Sequence, residues 1–306
     1  MNTRHAQIIL TTLREGSFTA GARALFITQP TLSQTVKQIE TQLGEPIFVR
    51  GRTPLLLTPA GELYVQAARR MLQIETQLDE ALCQLHGQTK GVLRIGFMLH
   101  RSDELLPQVL PDFLNRYPDV RVQVSEGTAE ELVRRLLACE LDMAMIVDYT
   151  RHPDLNYRQV ASDEIVLLAG RSTPLANRIP SGSTISLTEI KDERLILPSI
   201  GNPSRPSFDS LLDSFGLHPV PAVTCDNVST AKRLCIACSM VMLSPFLSLL
   251  CDSAGMQKLA HYHLGQEAYL PPLCMAHAKN EPLAPYAETM FSLLTSRFRA
   301  MAAYRA

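Results

Sequence analysis

Between Gly16 and Ile39 the apolar side chains fall into two sets at helical spacing, Phe18, Ala22 and Leu25, then Leu32, Val36 and Ile39. The break between them is Phe26-Ile27-Thr28, where Thr28 suits an N-cap and Pro30 falls in a first turn that loses nothing by lacking an N–H. Gly21 permits a close approach of helix backbones. Gln29, Thr31, Ser33, Gln34 and Lys37 are left for the outer face of the second helix. Two short helices joined by a tight turn, the second with a polar face, have the layout of a helix-turn-helix that can lie in the major groove.

The same periodicity organises the flanks. Residues 3–14 read as a helix whose Ile8, Ile9 and Leu13 cover the pair. Beyond Gly44, the runs Ile47–Arg50 and Leu55–Thr58 flank the turn Gly51-Arg52-Thr53-Pro54, which predicts a two-stranded wing with Arg50 and Arg52 at its tip, within reach of phosphate or minor groove. Thr58-Pro59 then opens a long helix. Ala60, Tyr64, Ala67, Met71, Ile74, Leu78, Ala81 and Leu85 step along it by alternating fours and threes, a heptad seam narrow enough to call for a partner helix.

From Gly91 the period changes. Leu93, Ile95 and Phe97 alternate as a strand, a helix follows through Leu105–Leu114, and Val120–Val124, residues 129–138 and Met143–Val147 complete a βαβαβ set, implying a parallel sheet covered by helices. Pro107 is expected in the first turn of its helix and Pro111 inside it. A second α/β set is expected, with strands at Ile165–Ala169, Leu195–Leu197, Val220–Cys225 and Val241–Leu243, helices at Ser207–Phe215 and Ser229–Ala237, a short helix after Ser244-Pro245, a strand within 268–278 and a closing helix over Ala284–Tyr304.

Composition adds limits. A chain of 306 residues with 46% apolar content holds two or three ordinary domains. Net charge is −1 overall, but residues 1–90 carry +2 and the remainder −3, compatible with nucleic-acid binding in the first part only. The N-terminus lacks the form of a signal peptide and no apolar run is long enough to span a bilayer, so a cytoplasmic protein with no membrane partner is expected. The seven scattered cysteines read as reduced thiols rather than a disulfide set.

The stretches EGSFTAGARALFITQPTLSQTVKQIETQLGEPIFVR (15–50), LTPAGE (57–62), GVLRIGF (91–97), LLPQVLPDFLNRYPDVRV (105–122), EG (126–127) and ELDMAM (140–145), in this order, resemble the LysR-type transcriptional regulators. The resemblance covers nearly the whole chain. It implies an α/β protein with an N-terminal all-α winged helix-turn-helix (1–58), a linker helix and hinge (59–90), and an effector-binding domain (91–306) of two Rossmann-like α/β subdomains of periplasmic-binding-protein type, one of 91–162 with 268–306 and one of 163–267. It implies a recognition helix over Thr28–Gln42, with Thr28, Gln29, Pro30, Thr31, Ser33, Gln34 and Lys37 facing double-stranded promoter DNA and Arg50 and Arg52 in the wing. It further implies a homodimer through the linker helix, often assembled as a homotetramer, DNA bending, a small-molecule effector between the subdomains, a hinge near Tyr157–Asp163 and His263–Ala268, and RNA polymerase as a further partner. Gln34 stands where the family often has Arg, Cys139 where Gly is common, and Cys238 and Met240 where two glycines are customary.

Candidate effector-binding residues follow from the strand ends of such a fold: Leu99, His100, Arg101, Ser102, Thr128, Asp148, Ser199, Asn202, Arg205, Asn227 and Pro245. The group suggests a carboxylate-bearing effector, while Ser102, Thr128 and Ser199 read equally as helix caps. Cys235-Ile236-Ala237-Cys238 is a CxxC on an apolar helix, read as structural; the peroxide-sensing relatives carry their cysteines near 199–208, a loop that has none here. His261-Tyr262-His263 is a weak metal signal. No HExxH, GxSxG or Walker loop occurs, so no enzyme activity, metal or cofactor is expected. The competing readings are a two-lobed solute receptor that uses its N-terminal part only to dimerise, and a thiol-based redox regulator.

Overall fold

The computed structural model describes residues 2–49, 51–52, 54–85, 89–98, 101–147, 151–202, 204–250, 257–265, 272–279 and 282–303. The chain divides into two compact units, one of Met1–Arg94, Asp119–Val122 and Val133–Asp142, the other of Ile95–Pro118, Gln123–Leu132 and Met143–Ala306.

In the first unit, helices α1 (Thr3–Arg14), α2 (Phe18–Ala24) and α3 (Gln29–Leu43) precede the long α4 (Pro59–Leu85). Each of the first three starts on a polar cap: the side chains of Asn2, Ser17 and Thr28 accept the backbone N–H of His5, Ala20 and Thr31. Their apolar stripes meet in one core of Ala6, Ile9, Ala22, Leu32, Val36 and Ile39, closed by Ile47 and Phe48 and by Tyr64, Val65 and Ala68 of α4. Gly21 does admit a close approach, but of α1 to α2: a Cβ there would lie 3.0 Å from the Cα of Thr12.

The wing is less regular than expected. One bridge, Phe48 with Leu57, and the backbone hydrogen bonds from Val49 N–H to the Leu56 carbonyl and from Thr58 N–H to the Ile47 carbonyl join its two limbs among the described residues, too few for a regular two-stranded ladder. Pro46 and Pro54 bound it and offer no N–H to a ladder. The seam of α4 divides in two. Tyr64 packs inward, whereas Ile74 and Leu78 are 66% and 59% exposed, beside Leu63 at 70%.

The α/β part holds two five-stranded sheets. The first, ordered β2-β1-β3-β10-β4, is built from β1 (Gly91–Met98), β2 (Val120–Gly127), β3 (Met143–Val147), β4 (Leu155–Ala161) and β10 (Leu273–Ala278). The second, ordered β7-β6-β8-β5-β9, comprises β5 (Ile165–Gly170), β6 (Leu195–Leu197), β7 (Val223–Thr224), β8 (Val241–Pro245) and β9 (Leu259–His263). Both are mixed rather than parallel: β1 runs parallel to β3, but β10 is antiparallel to β3 and β4, and β5 is antiparallel to β8 and β9.

Helices α5 (Arg101–Arg116), α6 (Ala129–Leu137), α7 (Pro174–Arg178), α8 (Arg205–Ser214), α9 (Val228–Cys238), α10 (Phe246–Leu250) and α11 (Pro285–Ala303) connect or cover these strands. Strand β5 shows why the second sheet is central: Ile165, Leu167 and Ala169 enter one buried cluster with α8, while Val166 and Leu168 enter another with α9. With helices on both faces, apolar side chains no longer alternate with polar ones.

Several elements differ from the sequence reading. Helix α5 begins at Arg101, so Pro107 and Pro111 both lie inside it. The strand expected over Val220–Cys225 shrinks to Val223–Thr224, because Pro219 and Pro221 cannot donate to a ladder. Of the strand expected over 268–278, Leu273–Ala278 forms β10, and residues 268–271 lie outside the described residues. Tyr157–Ala161 of the expected hinge belongs to β4, leaving residues 162–164 to cross towards β5; residues 266–268 of the other crossing lie outside the described residues. No helix among the described residues is long and apolar enough to cross a membrane.

Candidate nucleic-acid interface and effector-site residues

Helix α3 separates its residues cleanly. Leu32, Val36 and Ile39 are buried, and Thr28, Gln29, Pro30, Thr31, Ser33, Gln34 and Lys37 are all exposed. The fold uses Thr28 and Thr31 locally, their hydroxyls lying 2.7 Å apart at the helix start. The helix N-terminus so formed carries the polar row in its first turns, where the positive end of the helix dipole favours an anion. Gly44, with φ +83, ends the helix in the left-handed region. The turn before α3 is unusual in holding Phe26 at φ +56 and 96% exposed.

The wing root is anchored at several points. The Ile47 carbonyl accepts the Thr58 N–H at 3.0 Å, the Leu55 N–H bonds the Gly16 carbonyl, and Phe48 packs edge-on against Phe18 with ring centres 5.7 Å apart. Glu40 of α3 accepts the N–H groups of Ile47 at 2.8 Å and Phe48 at 3.3 Å. Thr58 caps α4 by accepting the Gly61 N–H. Gly61 itself is pressed on the wing: a Cβ there would fall 2.1 Å from the Ile47 carbonyl oxygen. Arg52 is exposed; Arg50 lies outside the described residues.

The effector-site candidates behave differently. Leu99, His100 and Asp148 lie outside the described residues, as does the Arg101 side chain. Ser102 Oγ donates to Glu126 Oε1 in a short bond. Thr128 is a cap, its hydroxyl accepting the Glu131 N–H, and Asn227 caps α9 through the Thr230 N–H. Ser199 is not a cap; that place before α8 falls to Ser204. Instead the Ser199 N–H and the Asn202 amide both donate to Asp226 Oδ1, at 2.9 and 3.0 Å. The Ser199 backbone bond, foremost, holds Asp226 below the usual carboxylate range. Arg205 turns to its own helix and loop, its Nε on Asp209 at 2.7 Å and its Nη1 on the Pro198 carbonyl at 2.6 Å. Pro245 ends β8 opposite Ile165.

The structure thus brings Ser199 and Asn202 together through Asp226, and sets Ser102 apart on Glu126. Sequence reasoning missed both carboxylates. Asp226 adjoins Asn227 and Glu126 adjoins Gly127, so adjacency to the strand ends was the available signal. Glu40 was missed too, since a glutamate on a polar helix face carries no sign of which backbone it will bond.

Burial pushes the Cys235 thiol up to about 12, with Cys238 adding to the effect, which leaves it protonated and unreactive. No group of His, Cys, Asp and Glu able to hold a metal occurs among the described residues.

Two family models match. Residues 3–62 match the bacterial regulatory helix-turn-helix proteins of the lysR family, and residues 86–299 match the LysR substrate binding domain. The uncharacterized HTH-type transcriptional regulator YybE of Bacillus subtilis is 25% identical over 97% of this chain and 99% of its own length. Among solved structures, a full-length OxyR variant from Pseudomonas aeruginosa superposes with a TM-score of 0.73 at 21% identity, covering 96% of this chain and 98% of that one. Full-length CbnR complexed with its target DNA gives 0.63 at 22% identity, over 98% of this chain and all of that one, 100%. With the first match spanning the helix-turn-helix and the second covering most of the remainder, the chain belongs to the LysR family of DNA-binding transcriptional regulators with an effector-binding domain.

Proposed function

We propose that this regulator reads promoter DNA with α3 in the major groove and the wing on the neighbouring backbone, as a pair of subunits joined through α4, and that a small effector bound at the carboxyl ends of the β1–β3 and β6–β8 strands changes the arrangement of subunits and so the bend of the DNA. The observation that carries the first part is the row Gln29, Pro30, Thr31, Ser33, Gln34 and Lys37, exposed on one short helix whose other face is fully buried. Gln29 and Gln34 offer the amide pairing that selects adenine, whereas Lys37 offers charge to phosphate. Pairing through α4 is supported by the exposed Leu63, Ile74 and Leu78, apolar surface that the helix leaves uncovered. CbnR, solved as a complex with its target DNA, supports the same use of the shared fold.

The effector site is assigned to Ser102, Thr128, Ser199, Asn202 and Asn227 with their neighbours, since open α/β sheets take ligands at the carboxyl ends of their strands. The Ser199 N–H and the Asn202 amide already hold a carboxylate, that of Asp226, which is the chemistry expected of a site for a carboxylate-bearing effector. Such an effector binds there by taking the place of Asp226.

The test is selection of duplexes from a randomised pool, followed by titration of the selected site against salt. Specific binding falls steeply with salt, in proportion to the phosphates neutralised. Lys37→Ala lowers the slope of log K against log salt by about one and weakens all sequences alike, and Gln29→Ala costs about 1–3 kcal/mol of discrimination at one base position. A protein that binds no selected duplex, or one in which the two substitutions act alike, overturns this reading.

A further inference from the structure

Glu40 is electrostatically out of place. It lies on α3, one turn beyond Lys37, on the element proposed to meet phosphates, where a carboxylate is repelled. Its geometry gives it other work. The side chain is half-buried, and its Oε1 accepts both the Ile47 and the Phe48 N–H, the first two amides of the wing's inbound limb. Those residues are buried in the core, so their amides need a partner from the protein itself. A carboxylate oxygen makes the strongest such partner. From the opposite side, the Ile47 carbonyl accepts the N–H of Thr58, and the backbone of Gly61 presses on the same carbonyl. Ile47 is therefore the joint at which α3, the wing and α4 meet, and Glu40 is the side chain through which α3 bonds to it.

We propose that Glu40 is a positioning residue for DNA binding. By gripping the wing's two root amides it fixes the direction in which the wing leaves α3, so that Arg52 and the α3 row meet one duplex in a single register. The proposal rests on the reading of α3 and the wing as the DNA-contacting elements. The carboxylate does not touch DNA; it acts through the wing.

A double-mutant cycle separates positioning from bulk stability. The probe is a random-sequence duplex of about 60 base pairs, long enough for two half-sites whole helical turns apart. Affinity is measured by anisotropy over a salt series for the full chain, Arg52→Ala, Glu40→Ala and the double variant, at a temperature where each is folded. In the unaltered background Arg52→Ala lowers the salt slope by about one. With Glu40→Ala the slope is already lowered, and adding Arg52→Ala changes it no further. Glu40→Gln, which keeps an acceptor oxygen at the same reach, restores the response to Arg52→Ala. Should Glu40→Ala not fold, Glu40→Asp replaces it, a carboxylate one methylene short of the wing amides. An equal effect of Arg52→Ala in both backgrounds overturns the positioning role while leaving the wing as a DNA contact. An inert Arg52→Ala in the unaltered chain removes the wing reading and this proposal with it.

Discussion

Helix α3 and the strand ends of the two sheets handle polar side chains in opposite ways. On α3 the polar row faces solvent, and apart from the capping threonines the fold makes little use of it. At the strand ends, Ser102, Thr128, Ser199, Asn202, Arg205 and Asn227 all bond to groups of the same chain. The difference follows from local structure. The backbone of α3 bonds within the helix and leaves its outer side chains free, whereas at the strand ends the chain turns into loops and helix starts whose amides lack regular partners, and the side chains there supply them. A polar row without internal bonds is thereby set apart from polar groups that the fold itself employs.

Three changes would break or sharpen this contrast. The largest effect is expected from Gly61→Ala. The added Cβ must displace the Ile47 carbonyl 2.1 Å away, at a cost of about 3 kcal/mol, and the wing moves with it. In a melting experiment the helix-turn-helix transition falls and DNA binding is lost, while the transition of the α/β part is unchanged; loss of both would show that the two regions are not separable. Next is Ser239→Gly. Ser239 ends α9 at φ +51, a region that costs a side chain about 1 kcal/mol and a glycine almost nothing. The variant raises the transition of the α/β part and leaves DNA affinity unchanged.

The smallest effect is a pH dependence. His261 is held below its ordinary value of 6.5 by burial, then by His263 and Arg171, with Glu164 opposing. The fold thus favours the neutral ring. Its contribution to stability is full above about pH 6.5 and is lost as the pH falls through the lowered value. His261→Gln flattens that loss in the α/β transition between pH 7 and 5 by about the share of one titrating group. An unchanged profile would assign the loss elsewhere.

The sequence spoke most clearly where one period governs burial. Met143–Val147 is a strand as expected, and α2 and α3 follow the spacing of Ala22, Leu32, Val36 and Ile39. Strand β4 was silent because the alternation Leu155-Asn156-Tyr157-Arg158 is short and breaks at Gln159. Strand β10, far away in the chain, turns the first sheet from parallel to mixed, and no local pattern announces a pairing over such a distance. The customary glycines replaced by Cys238 and Met240 concealed a further point: the left-handed residue falls between them, on Ser239, whereas Cys139 does take φ +55 where glycine is common. The polar residues at the strand ends were legible by type, but their hydrogen-bond partners were not. Asp226 and Glu126 came from acidic positions beside the chosen residues, and Glu40 bonds a segment seven residues on.

The contact of Gly61 with the Ile47 carbonyl has a mechanical meaning. Two backbones at that separation leave no compressible side chain between them, and the joint behaves as a weld rather than a bearing. A displacement of the first turn of α4 is therefore passed to Ile47, and through Ile47 to the root of the wing, with no side chain between to absorb it.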